Sequence, residues 1–164
     1  MVEERRVGPM KAPGMAGHLI RRQNQISTQV FSTHTQEAGF DLTPVQFAAL
    51  DAIIAHPGID QARVASKIAY DRATIGGVID RLEQKGYVIR KVSKRDRRAR
   101  EVRASESGRE VFDQILPVVT ALQDDVLAGL SDTERHAFLS LARKAIGDLH
   151  GAGSLAPTDE QSAV

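Results

Sequence analysis

Apolar side chains recur every three or four residues along most of the chain, which is typical of helices that bury one face. The first such segment covers residues 15–38, where Leu19, Ile26 and Val30 share one side and the other sides are polar. The residues before this segment contain two glycine–proline pairs. They predict a loose arm over residues 1–14.

A second helix is predicted to begin at Thr43. This residue can act as the N-cap, with Pro44 at the first helical position and Gln46 completing a capping box. The apolar residues that follow repeat at helical spacing until His56-Pro57-Gly58, which ends the helix.

Two short helices separated by a three-residue break are predicted next. Asp60 is placed to cap the first, and Asp71 to cap the second. Four apolar residues of the second helix form one stripe: Ile75, Val78, Ile79 and Leu82. Gly86 then ends this helix. Two short helices joined by a tight turn are typical of a helix-turn-helix, and the second is the candidate reading helix.

The period of the pattern changes from helical to alternating after Gly86. Residues 87–89 and 101–103 predict two short strands, and the charged residues between them, 93–98, predict a turn. A β-hairpin directly after a helix-turn-helix is a wing. Residues 43–104 are therefore predicted to form a winged helix-turn-helix.

Helical spacing returns after Ser105 and continues to His150. Pro117 is expected to kink the first of these helices, and a capping box at Ser131–Glu134 predicts the start of the last. The small, polar residues 151–164 predict a disordered tail. The predicted fold class is mainly α with a small β-hairpin wing.

The helices flanking the winged lobe, residues 15–42 and 105–150, are each apolar on one face. They lie far apart in the sequence and need each other, or a second copy of themselves, to bury these faces. We therefore predict a homodimer built from the terminal helices, whose two-fold symmetry would match the repeated half-sites of a DNA operator.

Charge is unevenly distributed along the chain. The net charge of the whole chain is +1. Between Arg63 and Arg109, however, there are 14 lysines and arginines against 6 acidic residues, a net of +8, and the remaining residues carry a net of −7. A strongly basic segment in an otherwise acidic chain indicates a nucleic-acid face.

Composition excludes several other classes of protein. The chain has no cysteine, which rules out disulfides, thiolate zinc sites and cysteine nucleophiles. Its five histidines are scattered, no catalytic motif is present, and we expect no enzyme activity, no metal and no cofactor. No segment is apolar enough to span a membrane, and no signal segment follows the first residues, so a cytoplasmic location is expected.

Several correctly spaced motifs resemble the MarR family of bacterial transcription regulators. Residues Thr74–Arg90 resemble the family's recognition helix and first wing strand, and Leu42–Phe47 its Leu-Thr-x-x-Gln-aromatic segment. Asp96–Arg98 resembles the Asp-x-Arg of the wing tip, and Ser105–Gly108 the Thr/Ser-x-x-Gly that opens the next helix. The resemblance covers residues 15–150. It implies a winged-helix homodimer that binds double-stranded DNA, usually as a repressor controlled by a small molecule.

Two residues depart from the family's pattern. Ala104 stands where the family usually has leucine, and Gly77 where some members carry a base-reading arginine. Glycine in a helix interior costs about 1 kcal/mol. Gly77 is therefore either a tolerated poor helix former, or a position that needs a small residue for packing or for close approach to DNA.

The predicted reading helix places its non-apolar face toward DNA. Arg72, at the helix start, is suited to a bidentate contact with guanine, and Thr74 to a base or a phosphate. Arg81 and Lys85 are expected to clamp phosphates. The groove-facing side also carries Ala73, Gly77, Asp80 and Gln84. The alternative is that this face is simply solvated.

By resemblance, Arg98 enters the minor groove from the wing tip while Asp96 holds its guanidinium in place. Arginine suits narrow A·T-rich grooves because they concentrate negative potential. Lys94, Arg95 and Arg97 are expected to contact phosphates. Alternatively, the tip contacts nothing and Asp96 serves only the turn.

The resemblance also implies a pocket for a small phenolic or aromatic carboxylate between the dimerisation helices and the DNA-binding lobe. His18 and Arg22, four residues apart on the first helix, are candidates to bind this anion, with Arg21 as the neighbouring alternative. A coenzyme A thioester is another candidate effector. These residues could instead form contacts between subunits or face water. The competing hypothesis for the whole chain is a winged-helix module that binds RNA or a protein without effector control.

Overall fold

The computed structural model describes residues 11–92 and 100–147, and it confirms the predicted fold class. After a short 3₁₀ turn, the described helices are α1 (Ala16–Glu37), α2 (Pro44–Ala55), α3 (Gln61–Lys67), α4 (Ile75–Gln84), α5 (Glu106–Ala121), α6 (Gln123–Val126) and α7 (Asp132–Ala145). The described strands are β1 (Ile59–Asp60), β2 (Val88–Val92) and β3 (Arg100–Ala104). The chain divides into two compact units, one ending at Val126 and one beginning at Leu127.

Side-chain caps fix the start of three helices in the first unit, and the sequence predicts two of them, at Thr43 and Asp60. The Thr43 hydroxyl accepts from the Gln46 amide at 3.3 Å, and the Gln46 side chain accepts from the Thr43 amide at 3.2 Å. Asp60 accepts from the amide of Arg63 at 2.9 Å, and Ser105 caps α5 in the same way. These caps satisfy amides that the first turn of a helix leaves without a partner.

The core of the first unit lies between helices α1 to α5 and the sheet. Its largest fully buried side chains are Leu50, Ile53, Val64, Ile79, Leu82, Val102, Ile115 and Leu122, together with Thr35. Phe47 of α2 stacks on Phe112 of α5 with ring centroids 5.1 Å apart. This core joins α5 to the helix-turn-helix, so the two do not depend on the covalent chain alone for their relative positions.

The sheet has three antiparallel strands in the order β1-β3-β2, which is one strand more than the predicted hairpin. Val88 pairs with Ala104 and Val92 with Arg100, while Ile59 of the additional strand pairs with Val102. A strand of two residues is too short to produce an alternating pattern. Its pairing depends on β3, which is more than 40 residues away in sequence.

The reading helix begins later than predicted. Asp71 does not cap α4, because its side chain accepts from the amide of Ala73 at 2.7 Å and closes a turn. Thr74 is the N-cap, and its hydroxyl donates to the Asp71 carbonyl instead of accepting from the helix. The local hydrogen bonding of an aspartate here competes with helix initiation. Arg72 and Ala73 therefore precede the helix.

Two other boundaries differ from the sequence prediction. The helix that starts after Ser105 continues through Pro117 but ends at Ala121, and the short helix α6 follows it. In the second unit, α7 begins at the predicted Ser131–Glu134 capping box but ends at Ala145 and not at His150. Gly147, two residues later, has a φ of +70°, in the left-handed region that commonly ends helices.

Candidate nucleic-acid interface

Helix α4 buries one side and exposes the opposite one. The four residues of its apolar stripe are all buried, as predicted. Six of the eight residues predicted to face DNA on or next to this helix are exposed, namely Arg72, Ala73, Thr74, Gly77, Arg81 and Gln84. The exposed side of α4 is thus available to a large partner.

Lys85, which is also predicted to contact DNA, is only partly exposed and already has an anionic partner. Its ammonium contacts the Asp41 carboxylate at 2.7 Å and the Asp41 backbone carbonyl. The contact ties the end of α4 to the segment that precedes α2. The expectation that Lys85 clamps a phosphate now requires its ammonium to be shared with Asp41 or released from it.

Arg90 of β2 binds two carboxylates of the reading helix. Its Nη2 lies 2.5 Å from Asp80 Oδ1 and 2.5 Å from Glu83 Oε2, and its Nε donates to the same Glu83 oxygen at 2.8 Å. The Arg90 side chain is 16% exposed, against 50% for Asp80 and 38% for Glu83. Asp80, predicted to face the groove, instead turns its carboxylate toward the wing.

The contact between Arg90 and Glu83 also shifts the pKa values of both side chains. The hydrogen bond from Arg90 lowers the pKa of Glu83 despite some desolvation, and the bond to Glu83 raises the pKa of Arg90. A carboxyl whose pKa is lower in the folded state contributes stability at pH values above its unfolded pKa. That contribution is lost as the pH falls through the lowered value.

Gly76 and Gly77 stand side by side in the first turn of α4. A Cβ built on either one meets no atom within 4 Å among the described residues. The possibility that Gly77 is small in order to pack within this protein is therefore excluded for the described part of the chain. Tolerance of a poor helix former and close approach of DNA remain as explanations.

We expect Gly77→Ala to raise the free energy of unfolding, by at most about 1 kcal/mol at this first-turn position, because alanine is the better helix former and its methyl group has open space. Urea denaturation measures this change, with Gly14→Ala, outside the α-helices, as a control that lacks the gain from α-helix propensity. An unchanged or lower stability contradicts the expectation. A stabilised variant that binds DNA more weakly supports the close-approach explanation.

The predicted wing-tip contacts, Lys94, Arg95, Asp96, Arg97 and Arg98, lie outside the described residues and remain predictions. The described base of the wing carries a different ion pair, between Arg103 and Glu101 at 3.3 Å. The guanidinium of Arg103 also covers Gly58, since a Cβ added there would stand 2.9 Å from its Nη2. Arg103 is therefore engaged at the wing base.

The candidate effector residues lie near the beginning of α1. His18 is half-buried, whereas Arg21 and Arg22 are exposed. A hydrogen bond of 3.1 Å joins Nη2 of Arg21 to Nδ1 of His18. The structure thus pairs His18 with the neighbouring alternative Arg21 and not with Arg22.

Two further surfaces stand out because large apolar side chains are exposed on them. On and next to α1 these are Met15, Leu19, Ile20 and Ile26. On and next to α7, in the second unit, they are Phe138, Leu139, Leu141 and Ile146. Both helices belong to the segments predicted to form a dimer.

Membrane-spanning helices and metal sites are absent among the described residues. None of their helices has the length and apolar character required to cross a bilayer. Among the same residues, no group of three or more histidine and acidic side chains is arranged to hold a metal ion.

Comparison with known proteins identifies the family to which this fold belongs. A model of the MarR family matches residues 40–99. The HTH-type transcriptional repressor NicR of Pseudomonas putida is 32% identical over 145 residues, which cover 88% of this chain and 90% of NicR.

Two solved structures have a similar fold. BpsR of Bordetella bronchiseptica, whose DNA binding is regulated by 6-hydroxynicotinic acid, superposes with a TM-score of 0.75 at 29% identity, covering 84% of this chain and 97% of BpsR. The repressor CouR bound to a 23-mer DNA duplex gives a TM-score of 0.73 at 25% identity, covering 85% of this chain and 99% of CouR. The fold and its exposed α4 define a winged-helix transcriptional regulator. The chain belongs to the MarR family.

Proposed function

We propose that this protein is a repressor that binds a pseudo-palindromic operator as a homodimer and is released by a small aromatic carboxylate or its thioester. The observation that carries the proposal is the two-sided character of α4, which buries its apolar stripe and leaves Gly77 and Arg81 exposed. The basic segment from Arg63 to Arg109 surrounds this helix in the sequence. A net charge of +8 over this segment favours a polyanion as the partner.

The proposed division of labour assigns residues 43–104 to DNA binding and residues 15–42 and 105–150 to dimerisation. Exposed apolar residues on α1 and α7 support the second assignment, because a monomer would leave them in water. Three relatives support the operator and effector assignments. NicR is a repressor, CouR binds a duplex, and BpsR responds to an aromatic acid.

Within the proposal, base reading falls to Arg72 and Thr74, with Ala73 and Gly77 allowing close approach. Both readers are exposed in the turn before α4, so their side chains can adjust to a base edge. Arg81 is the exposed cation best suited to a phosphate. The wing-tip residues add minor-groove and phosphate contacts as the resemblance implies.

Control by an effector requires that α5 and the reading helix move together. The hydroxyls of Ser105 and Ser107 donate to the Gly86 carbonyl at 2.6 and 3.0 Å, and the Ser105 amide donates to the Tyr87 carbonyl at 3.0 Å. Gly86 lies two residues beyond α4, after the C-cap Lys85, so these three bonds connect the start of α5 to the segment that ends the reading helix. We refer to residues 86–87 and 105–108 as the α4–α5 junction.

The junction gives a small movement of the dimerisation helices a direct route to the DNA-binding surface. A two-fold operator requires two reading helices about 34–36 Å apart, one turn of DNA. An anion bound by His18 and Arg21 or Arg22 releases DNA if it favours a dimer with a different separation. The ligand shifts the equilibrium only as far as its affinity differs between the two states.

Two measurements test the proposal. The first is titration of the protein, at two salt concentrations, with an inverted-repeat duplex selected by the protein from a random pool, and with a scrambled duplex. A regulator prefers the repeat and loses affinity steeply as salt rises, whereas equal binding to both duplexes favours the alternative of an RNA-binding or protein-binding module.

The second measurement is a thermal-shift screen of hydroxylated benzoic and nicotinic acids and their thioesters. A ligand of the native state raises the melting temperature. Replacement of Arg22 by alanine, with Arg21→Ala alongside it, identifies which guanidinium binds the carboxylate. Retention of the full shift in both variants removes the proposed effector site.

A further inference from the structure

Helix α4 carries two carboxylates on a surface that would face polyphosphate. Asp80 and Glu83 are three residues apart, and each is between one third and one half exposed. An unpaired carboxylate near the DNA backbone opposes binding, since like charges about 10 Å apart still repel by about 0.4 kcal/mol even in water. Their pairing with Arg90 therefore bears on DNA affinity as well as on the fold.

We propose that Arg90 is a positioning residue for DNA recognition, which holds the carboxylates of Asp80 and Glu83 toward the wing and away from the phosphates. The inference rests on the proposed function, because it requires α4 to face DNA. It assigns Arg90 an effect on DNA affinity without a contact to DNA of its own.

The geometry separates this role from that of an ordinary phosphate contact. The Arg90 side chain is 16% exposed, and its Nε and Nη2 atoms are both occupied by carboxylate oxygens. Glu83 also accepts from the Arg90 backbone amide at 3.4 Å, so its carboxylate is drawn toward the strand by two groups. A lysine here would not reproduce the arrangement, because only a guanidinium offers several donors in a fixed plane.

The test is a cycle of variants: Arg90→Gln, Asp80→Asn with Glu83→Gln, and all three changes together. The DNA is a fluorescein-labelled duplex of scrambled sequence, because charge repulsion does not depend on sequence, and binding is followed by anisotropy at low salt. Lys144→Gln removes one exposed positive charge from α7 and serves as the matched control. Thermal unfolding of every variant shows whether it is folded at the assay temperature.

We expect Arg90→Gln to weaken binding about fivefold when the carboxylates are present and less than about twofold when they are amides. The variant with both amides and Arg90 intact is expected to bind at least as tightly as the original protein. Lys144→Gln is expected to change affinity by less than about twofold.

Three results would overturn the inference. An equal loss from Arg90→Gln in both backgrounds assigns the effect to the charge of Arg90 itself. Weaker binding by the variant with both amides would mean that the contacts of Arg90 with Asp80 and Glu83 serve only the fold. This comparison does not need Arg90→Gln, so it remains decisive if that variant fails to fold. Absence of salt-dependent duplex binding by the original protein refutes the proposed function itself, and the inference with it.

Discussion

Gly108→Ala is expected to lower the free energy of unfolding by about 3 kcal/mol, at the upper end of the range for overpacking a tight contact. The methyl carbon would stand 2.0 Å from the Tyr87 carbonyl oxygen and 2.9 Å from its carbon. These are backbone atoms, so no side-chain rotation can relieve the clash. The start of α5 and the start of β2 would have to separate, which would strain the bonds of the α4–α5 junction.

Chemical denaturation measures this loss, and Gly17→Ala is the control. Gly17 also lies in the first turn of a helix, but a Cβ there meets nothing within 4 Å among the described residues. The control is therefore expected to keep or slightly raise stability. A loss of less than about 1 kcal/mol in Gly108→Ala would show that α5 can shift away from the wing at little cost, against the close packing described above.

Arg98→Ala is expected to weaken operator binding at least about tenfold, which corresponds to about 1.4 kcal/mol. The expectation comes from the resemblance of Asp96–Arg98 to the family's wing tip, where the arginine enters the minor groove. Removal of that side chain takes away a charge from a region of concentrated negative potential. The variant is expected to remain folded and dimeric.

Anisotropy titration with the selected inverted-repeat duplex measures this effect, and light scattering tests whether the variant forms the proposed dimer. Arg103→Ala is the comparison, because Arg103 is bound to Glu101 at the wing base and is expected to contribute less. Affinity that is unchanged by Arg98→Ala removes the minor-groove role. A comparable loss in both variants would instead point to general electrostatics.

Features that depend on neighbouring residues were predictable from the sequence. The capping boxes at Thr43 and Ser131 and the buried stripe of α4 are encoded within a few residues, so spacing alone identifies them. The predicted start of α4 is wrong because the side chain of Asp71 can close a turn as well as cap a helix. Spacing does not distinguish these two local uses of aspartate.

Features that depend on partners distant in sequence were not predictable. The strand at Ile59 exists only because β3 lies beside it, and the carboxylate of Asp41 reaches Lys85 across 44 residues. The ion pair between Arg90 and Glu83 is closer in sequence, but their separation of seven residues includes a turn, so spacing alone does not predict it. A charge pattern shows how many cations a segment has, but not which of them are already bound.

The bonds around the Gly86 carbonyl affect how hybrid regulators of this family could be assembled. Consider a chimaera in which a foreign reading helix and wing replace those of this protein up to residue 104. Ser105 and Ser107 of this protein would then face a foreign carbonyl, and Gly108 would pack against a foreign backbone. Extending the graft through Gly108 would carry both sides of that seam together. The exchangeable module of this fold is therefore slightly longer than the lobe proposed to bind DNA.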